Sequence, residues 1–360
     1  MMPTPNTILE KLRTAPKGLR YAALALPVAV VLGYVAFWFV VAGLAERQLA
    51  DWIAAQRSHG VEISHGSAET TGFPFRIAIR LDQPAARWPG GSWAGPELSL
   101  SGTPWDWRRL HWSAPGAHHV EWRGRDGQAH AATLTARHLE GWGEGGANRL
   151  PRLELGLSDG ELVADGRRFL ARGLLLQIAA PEEATSNGPS VGPRLPMSLD
   201  AKTVTLPPDL TTALGDTIDR LTLDLSLNGP VPPGPWPDPA LQWRDAGGVV
   251  EVRHLGLAQG ELSLSGEGTL AIDPEGQPEG AFAARITGFN AAIEALRKQG
   301  LMDDGTAGTV QVVLGLLANG PPGGPKTLDV PLTVQDRTLS LGPVKLFRLK
   351  AVDWFTPRGS

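Results

Sequence analysis

Leu221-Thr222-Leu223-Asp224-Leu225-Ser226-Leu227-Asn228 is the stretch whose pattern decides the fold. Leucine fills every second position and a polar residue every position between. Successive side chains of a strand point to opposite faces, so the octapeptide predicts a strand with one apolar and one polar face. Working outward, the same period recurs. Leu153, Leu155 and Leu157 alternate with Arg152 and Glu154, and Leu262 and Leu264 with Ser263 and Ser265. Phe75, Ile77, Ile79 and Leu81 alternate with Arg76, Ala78, Arg80 and Asp82, behind an opening Gly72-Phe73-Pro74-Phe75-Arg76 in which Pro74 holds Phe73 extended. Val61-Glu62-Ile63, the set Val310, Val312, Leu314 and Leu316, and the pair Leu339 and Leu341 read as further strands.

The punctuation agrees with this reading. The chain has 44 Gly and 31 Pro in 360 residues, short of a low-complexity composition. Asp159-Gly160, Asp165-Gly166, Gln259-Gly260 and Glu275-Gly276 read as hairpin or meander turns. No helix–strand alternation of the parallel α/β kind occurs. The expected fold is mainly β, with many short strands joined by turns. About sixteen strands spaced by about 4.8 Å predict a sheet roughly 75 Å across.

Two short helices are predicted: Pro208 to Arg220, with Leu210, Leu214 and Ile218 spaced by four, and Asn290 to Gln299, stopped by Gly300. Each precedes an alternating run that ends in Asn-Gly-Pro, at Asn228-Gly229-Pro230 and Asn319-Gly320-Pro321. This spacing suggests a structural repeat, although two independent turns account for it equally.

Residues Tyr21 to Ala45 carry no charge. A helix of that length is about 37 Å long, enough to cross a hydrocarbon layer of about 30 Å. Lys11, Arg13, Lys17 and Arg20 precede it against Glu10, which predicts a cytoplasmic N-terminus and a single-pass topology with the bulk of the chain outside. The apolar run exceeds the length of a signal-peptide core, and Val41-Ala42-Gly43-Leu44 is a poor cleavage site. Leu44, Leu49, Trp52 and Ile53 extend the helical stripe toward Arg57 and Gly60. The organisation read from the sequence is a basic tail (1–20), a membrane helix (21–45, continuing to about 58) and a Trp-rich β half (61–180). A linker (181–197) and a Leu-rich β half (198–350) follow.

Composition excludes several classes of function. The chain has no Cys, which removes disulfide scaffolds, thiolate zinc sites and thiol nucleophiles. A net charge of −4 argues against nucleic acid as a partner. Gly156-Leu157-Ser158-Asp159-Gly160 fits a nucleophile elbow only if a helix follows, and a strand pattern follows instead. Gly141, Gly143 and Gly146 match a phosphate-loop spacing, but Pro151 and a strand come next, so this reads as a flexible loop. His118 and His119 should face opposite ways, and no metal-ligand spacing joins His111, His130 and His138. No catalytic residue, cofactor or metal site is therefore assigned. Trp88, Trp93, Trp105, Trp107, Trp112, Trp122 and Trp142 crowd one region and read as core, with a sugar or acyl platform as the alternative.

Several motifs carry a family likeness. They are the N-terminal helix running to Trp52, Gly72-Phe73-Pro74-Phe75-Arg76, and Leu206-Pro207 through Leu214-Gly215 into Leu221–Leu227 and Gly229-Pro230. Gly268-Thr269-Leu270 leading to Ile286-Thr287-Gly288-Phe289, and Leu339-Ser340-Leu341-Gly342-Pro343, complete the set. Together they resemble the alphaproteobacterial domain-of-unknown-function family 2125, which implies no activity, catalytic residue or cofactor. The later motifs are more distantly similar to AsmA-like envelope proteins. That similarity implies a single-pass inner-membrane anchor, a mainly β periplasmic body built as an elongated, twisted, antiparallel sheet or groove with an apolar lining, and lipid handling or support of the envelope.

The expected function is non-enzymatic holding or transfer of phospholipid or another acyl lipid. The candidate lining is Phe75, Ile77, Ile79, Leu153, Leu155, Leu221, Leu223, Leu225, Leu262, Leu264, Val312 and Leu314. Two alternatives stay open: an envelope scaffold with a sealed core and a protein partner, and a glycan-binding or glycan-hydrolysing protein.

Overall fold

A computed structural model describes residues 17–124, 127–146, 149–182, 193–211, 214–230, 238–300, 302–320, 326–342 and 344–352. The basic tail before Lys17, positions 183–192 of the expected linker, and Pro321 lie outside them.

The chain opens with α1 (Lys17–Ser58), a 42-residue helix. It ends where Gly60 takes a left-handed φ of 76°, as the sequence predicts. Eight short strands follow: β1 (Glu62–Ser64), β2 (Ala68–Thr71), β3 (Ile77–Asp82), β4 (Ala85–Trp88), β5 (Gly91–Ala94), β6 (Glu97–Thr103), β7 (Asp106–Ser113) and β8 (Gly116–Arg123). Then come the longer β9 (Ala129–Gly146), β10 (Arg149–Ala164), β11 (Arg167–Ile178), β12 (Arg194–Thr205) and β13 (Thr217–Asn228). The remaining elements are α2 (Asp238–Asp245), β14 (Val249–Gln259), β15 (Leu262–Ile272), β16 (Pro278–Thr287), α3 (Phe289–Lys298), α4 (Asp304–Leu317), β17 (Thr327–Gln335), β18 (Thr338–Leu341) and β19 (Val344–Arg348).

All the strands join one antiparallel, twisted, open sheet. From β9 to β19 each strand pairs with the next, a plain meander. The sheet forks at β9. Its first half pairs with β8, which leads through β5 and β4 to β1. Its second half pairs on the same side with β7, which leads through β6 and β3 to β2. Either path, from β1 or from β2 to β19, crosses fifteen strands, roughly 65–70 Å at about 4.8 Å spacing.

Two separate cores cover the ends of one sheet face. At the first, Trp38, Ala42 and Ala45 of α1 pack on Ile77, Ile79 and Leu81 of β3. The helix spacing 38, 42, 45, 49 matches the odd positions of the strand. At the second, Phe289 and Ile293 of α3 and Ala307, Val310 and Leu314 of α4 pack on Ile286, Leu328 and Leu341.

Several sequence expectations are corrected. Val312 and Leu314 lie on helix α4, not on a strand. Their region also fits the helical set Ala307, Val310 and Leu314, and the Asp303 side chain caps it by accepting from the Thr306 backbone N–H at 2.9 Å. The helix from Pro208 to Arg220 is one 3-10 turn, Pro208–Leu210; Gly215 has φ 109°, and Ile218 already belongs to β13. A strand thus precedes the first Asn-Gly-Pro and a helix the second, so the repeat dissolves. The Asp159-Gly160 turn sits inside β10, with Asp159 at φ 46°, whereas Asp165-Gly166 does turn the β10–β11 hairpin. Gly141, Gly143 and Gly146 lie in strand β9 rather than a loop. Residues 73–75 form a turn with a cis Phe73–Pro74 peptide, and the strand starts only at Ile77. β12 begins at Arg194, inside the stretch read as linker, and pairs with β11 across it.

Candidate functional site

The register turns the alternating leucines into continuous lines across the sheet. One line runs Ile79, Leu100, Trp112, Gly141, Leu155, Leu176, Leu199, Leu223, Leu255, Gly266, Ala284 and Val330. It crosses twelve strands without a polar side chain. A parallel line, one pleat away, runs Leu139, Leu157, Leu174, Ala201, Leu221, Leu257, Leu264, Ile286 and Leu328. Leu153, Ile178, Met197, Leu225 and Val252 form a third.

The opposite face is mostly polar, with Trp142 and Leu175 as apolar exceptions. Its corresponding line is Ser101, His111, Trp142, Glu154, Gln177, Ser198, Asp224 and His254. These groups satisfy one another: Gln177 donates to Glu154 at 2.7 Å and Ser198 to Gln177 at 3.2 Å. Arg253 donates to Asp224 at 2.7 Å, which raises the guanidinium above its usual range. Arg285 and Asp329 pair at 2.7 Å. A depression of about 930 Å³ over Ser265, Ala281, Ala283 and Arg285 also lies on this polar face.

The apolar lines are covered unequally. α1 buries Ile77 and Ile79; α3 and α4 cover β15 to β18, with Leu262 and Leu264 packed against that core. Between these ends, Leu153, Leu155, Leu221, Leu223 and Leu225 are only half-buried and belong to none of the three described core clusters. From β9 to β14 this open stripe is about 24 Å long. Trp112 lies along it because Gly141 has no side chain: a Cβ there would sit 2.8 Å from the indole and 2.0 Å from the Glu154 carbonyl.

Of the twelve predicted lining residues, five therefore share the open stripe and four line its covered ends. Phe75 is 70% exposed in the turn before β3; Val312 is 64% exposed on α4, while Leu314 is sealed beneath that helix. The sequence reading missed Leu176, Leu199, Leu255 and Leu257. Only strand register shows that they continue the lines.

The tryptophans are not a core. Trp88, Trp105 and Trp122 are exposed, and Trp93, Trp112 and Trp142 are half-buried, because no second layer of described residues covers this part of the sheet. The side chain of Trp107 lies outside the description. Trp93 stacks on His118, and Trp122 on His130. His118 is buried, with its Nε2 against the Ala114 carbonyl at 2.8 Å, while His119 faces out, so the two do take opposite faces. Among the described residues, no cluster of three or more His, Asp or Glu side chains is placed to hold a metal ion.

A family model described as "Uncharacterized protein conserved in bacteria (DUF2125)" matches residues 38–350. The chain belongs to the DUF2125 family. This is the family that the sequence motifs resemble, and the match spans both the helix-covered β3 and the C-terminal core. No curated protein and no solved structure matches the chain. The AsmA-like likeness therefore gains nothing from these comparisons. In this DUF2125 chain, α1 is long and apolar enough to cross a membrane.

Proposed function

We propose that this DUF2125 protein holds or passes acyl lipids along the leucine face of its sheet, tethered to the inner membrane by α1. The basic residues before the apolar run favour a cytoplasmic N-terminus and a periplasmic sheet. The work is binding, without a chemical step. The observation that carries the reading is the apolar line across twelve strands, closed by helices at both ends and open over β9 to β14. A methylene moved from water onto such a face gains about 0.8 kcal/mol, so one acyl chain along the stripe gains enough to be retained. The likeness to AsmA-like envelope proteins points the same way, as an architectural analogy.

The test places benzoylphenylalanine at Leu223 in one variant and at neighbouring Asp224, on the polar face, in another. Cells producing the full chain are irradiated and the adducts are weighed. A lipid adduct at Leu223 and none at Asp224 is the expected result. A protein adduct at Leu223 would instead support the envelope-scaffold reading. Equal lipid labelling at both positions would remove any role for the leucine face.

A further inference from the structure

We infer that the turn 72–76 is a second membrane-inserting element, dipping into the lipid leaflet on the sheet side of the bilayer beside α1. The inference rests on α1 crossing a membrane and is independent of whether the leucine face holds lipid.

The turn is exposed where a soluble surface is not expected to be. Phe73 and Phe75 are 51% and 70% exposed. Neither is a member of the described core clusters; both flank Pro74 in a tight turn closed by the Arg76 N–H donating to the Gly72 carbonyl at 2.9 Å. The turn is also fixed to the helix. Tyr34 donates its hydroxyl to the Pro74 carbonyl, and Trp38 donates its indole N–H to the Arg76 carbonyl at 3.0 Å. The Phe73 ring meets Trp38 edge-on at 5.5 Å and stacks on Phe39 at 6.5 Å.

The helix sets the depth. Arg20 is the last charge before the apolar run and Glu46 the first after it. At about 1.5 Å per residue, Tyr34 lies about 21 Å and Phe39 about 28 Å beyond Arg20. A hydrocarbon layer of about 30 Å entered at Arg20 encloses both, in its far half. Groups that touch Tyr34, Trp38 and Phe39 from the side share that depth. Phe39 and Val40 are themselves exposed, so the phenylalanines of the turn continue one apolar surface rather than forming an isolated patch. The polar contact between Thr70 and Glu46, farther along the helix, falls where headgroups and water begin. Acyl chains are thus the one occupant that both the helix and the turn can share.

The chain has no cysteine, so single-cysteine variants can be labelled cleanly. Full-length Phe75→Cys, Phe39→Cys and Glu275→Cys, the last in the β15–β16 turn, are labelled with an environment-sensitive nitrobenzoxadiazole dye. They are then reconstituted into phosphatidylcholine vesicles with or without doxyl-labelled lipid. The expected result is a blue-shifted emission for Phe75→Cys and a loss of fluorescence to doxyl lipid as large as that of Phe39→Cys, with Glu275→Cys unquenched. Quenching at position 39 but a water-like, unquenched signal at position 75 overturns the inference. Absence of quenching at both overturns it together with the anchor itself.

Discussion

At the scale of single residues, two positions show how narrow local geometry constrains this chain. Asp165 opens the β10–β11 turn at φ 48°, and its carboxylate accepts the Ala131 N–H at 3.1 Å and lies 2.8 Å from His130 Nδ1. The His130 hydrogen bond, with the Ala131 N–H, holds this carboxyl below its ordinary value. A carboxylate depressed in the folded state stabilises the fold above its unfolded pKa. That contribution drains as the pH falls through the folded one. Asn tolerates the left-handed turn, so Asp165→Asn should leave the hairpin intact and flatten the loss of stability below about pH 4, read from urea midpoints across that range. Gly288 is different in kind. Its φ is 68°, and a Cβ would meet the Glu261 carbonyl at 2.0 Å. Gly288→Ala should cost more than about 1 kcal/mol in chemical denaturation, since both conformation and space are violated.

At the scale of elements, α4 separates what the sequence made legible from what it hid. Val310, Val312, Leu314 and Leu316 alternate as neatly as Leu221 to Leu227, yet the first set is helical and the second is a strand. Period two and period 3.6 overlap over a short apolar run, and Ala307, Val310 and Leu314 satisfy the helical period. The deciding local signal is Asp303 three residues before Thr306, a helix cap that the alternation of Val310 to Leu316 does not reveal. For β15 no such competitor exists; β13 overlaps the four-spaced Leu210, Leu214 and Ile218 at its start and β3 opens two residues after Phe75, but the central runs and faces of all three were legible. The two members of α4 now predict opposite outcomes. Leu314→Ala should destabilise by about 2–5 kcal/mol, and Val312→Ser, on the exposed side, by less than about 0.5 kcal/mol, both by denaturant titration. Strand character at position 312 would have made the substitutions comparable.

At the scale of the whole molecule, the β class, the long apolar N-terminal helix and the leucine stripe were visible in the sequence, whereas the lines across the sheet were not. Leu176 and Leu199 join them only through pairing between strands distant in the chain, and one strand's composition does not encode its register. The two helix-covered cores stand at opposite ends, joined by an open stretch with no core cluster of its own among the described residues. Their stabilities should therefore be separable. Ile77→Ala should speed amide hydrogen exchange in β3 and β6 and leave β16 to β18 unchanged, and Leu314→Ala should do the reverse. Matching changes at both ends would mean that the sheet unfolds as one unit.

The fork at β9 has a topological consequence. An unbranched open sheet has two edge strands; among the described residues this one has three, β1, β2 and β19, each with a row of backbone groups that another chain could pair with. They are three, four and five residues long, against eighteen for β9. An edge this short offers few hydrogen bonds to an incoming strand, which is how native sheets discourage end-to-end growth. A sheet with three exits keeps each of them short, which leaves its two broad faces as by far the larger surfaces.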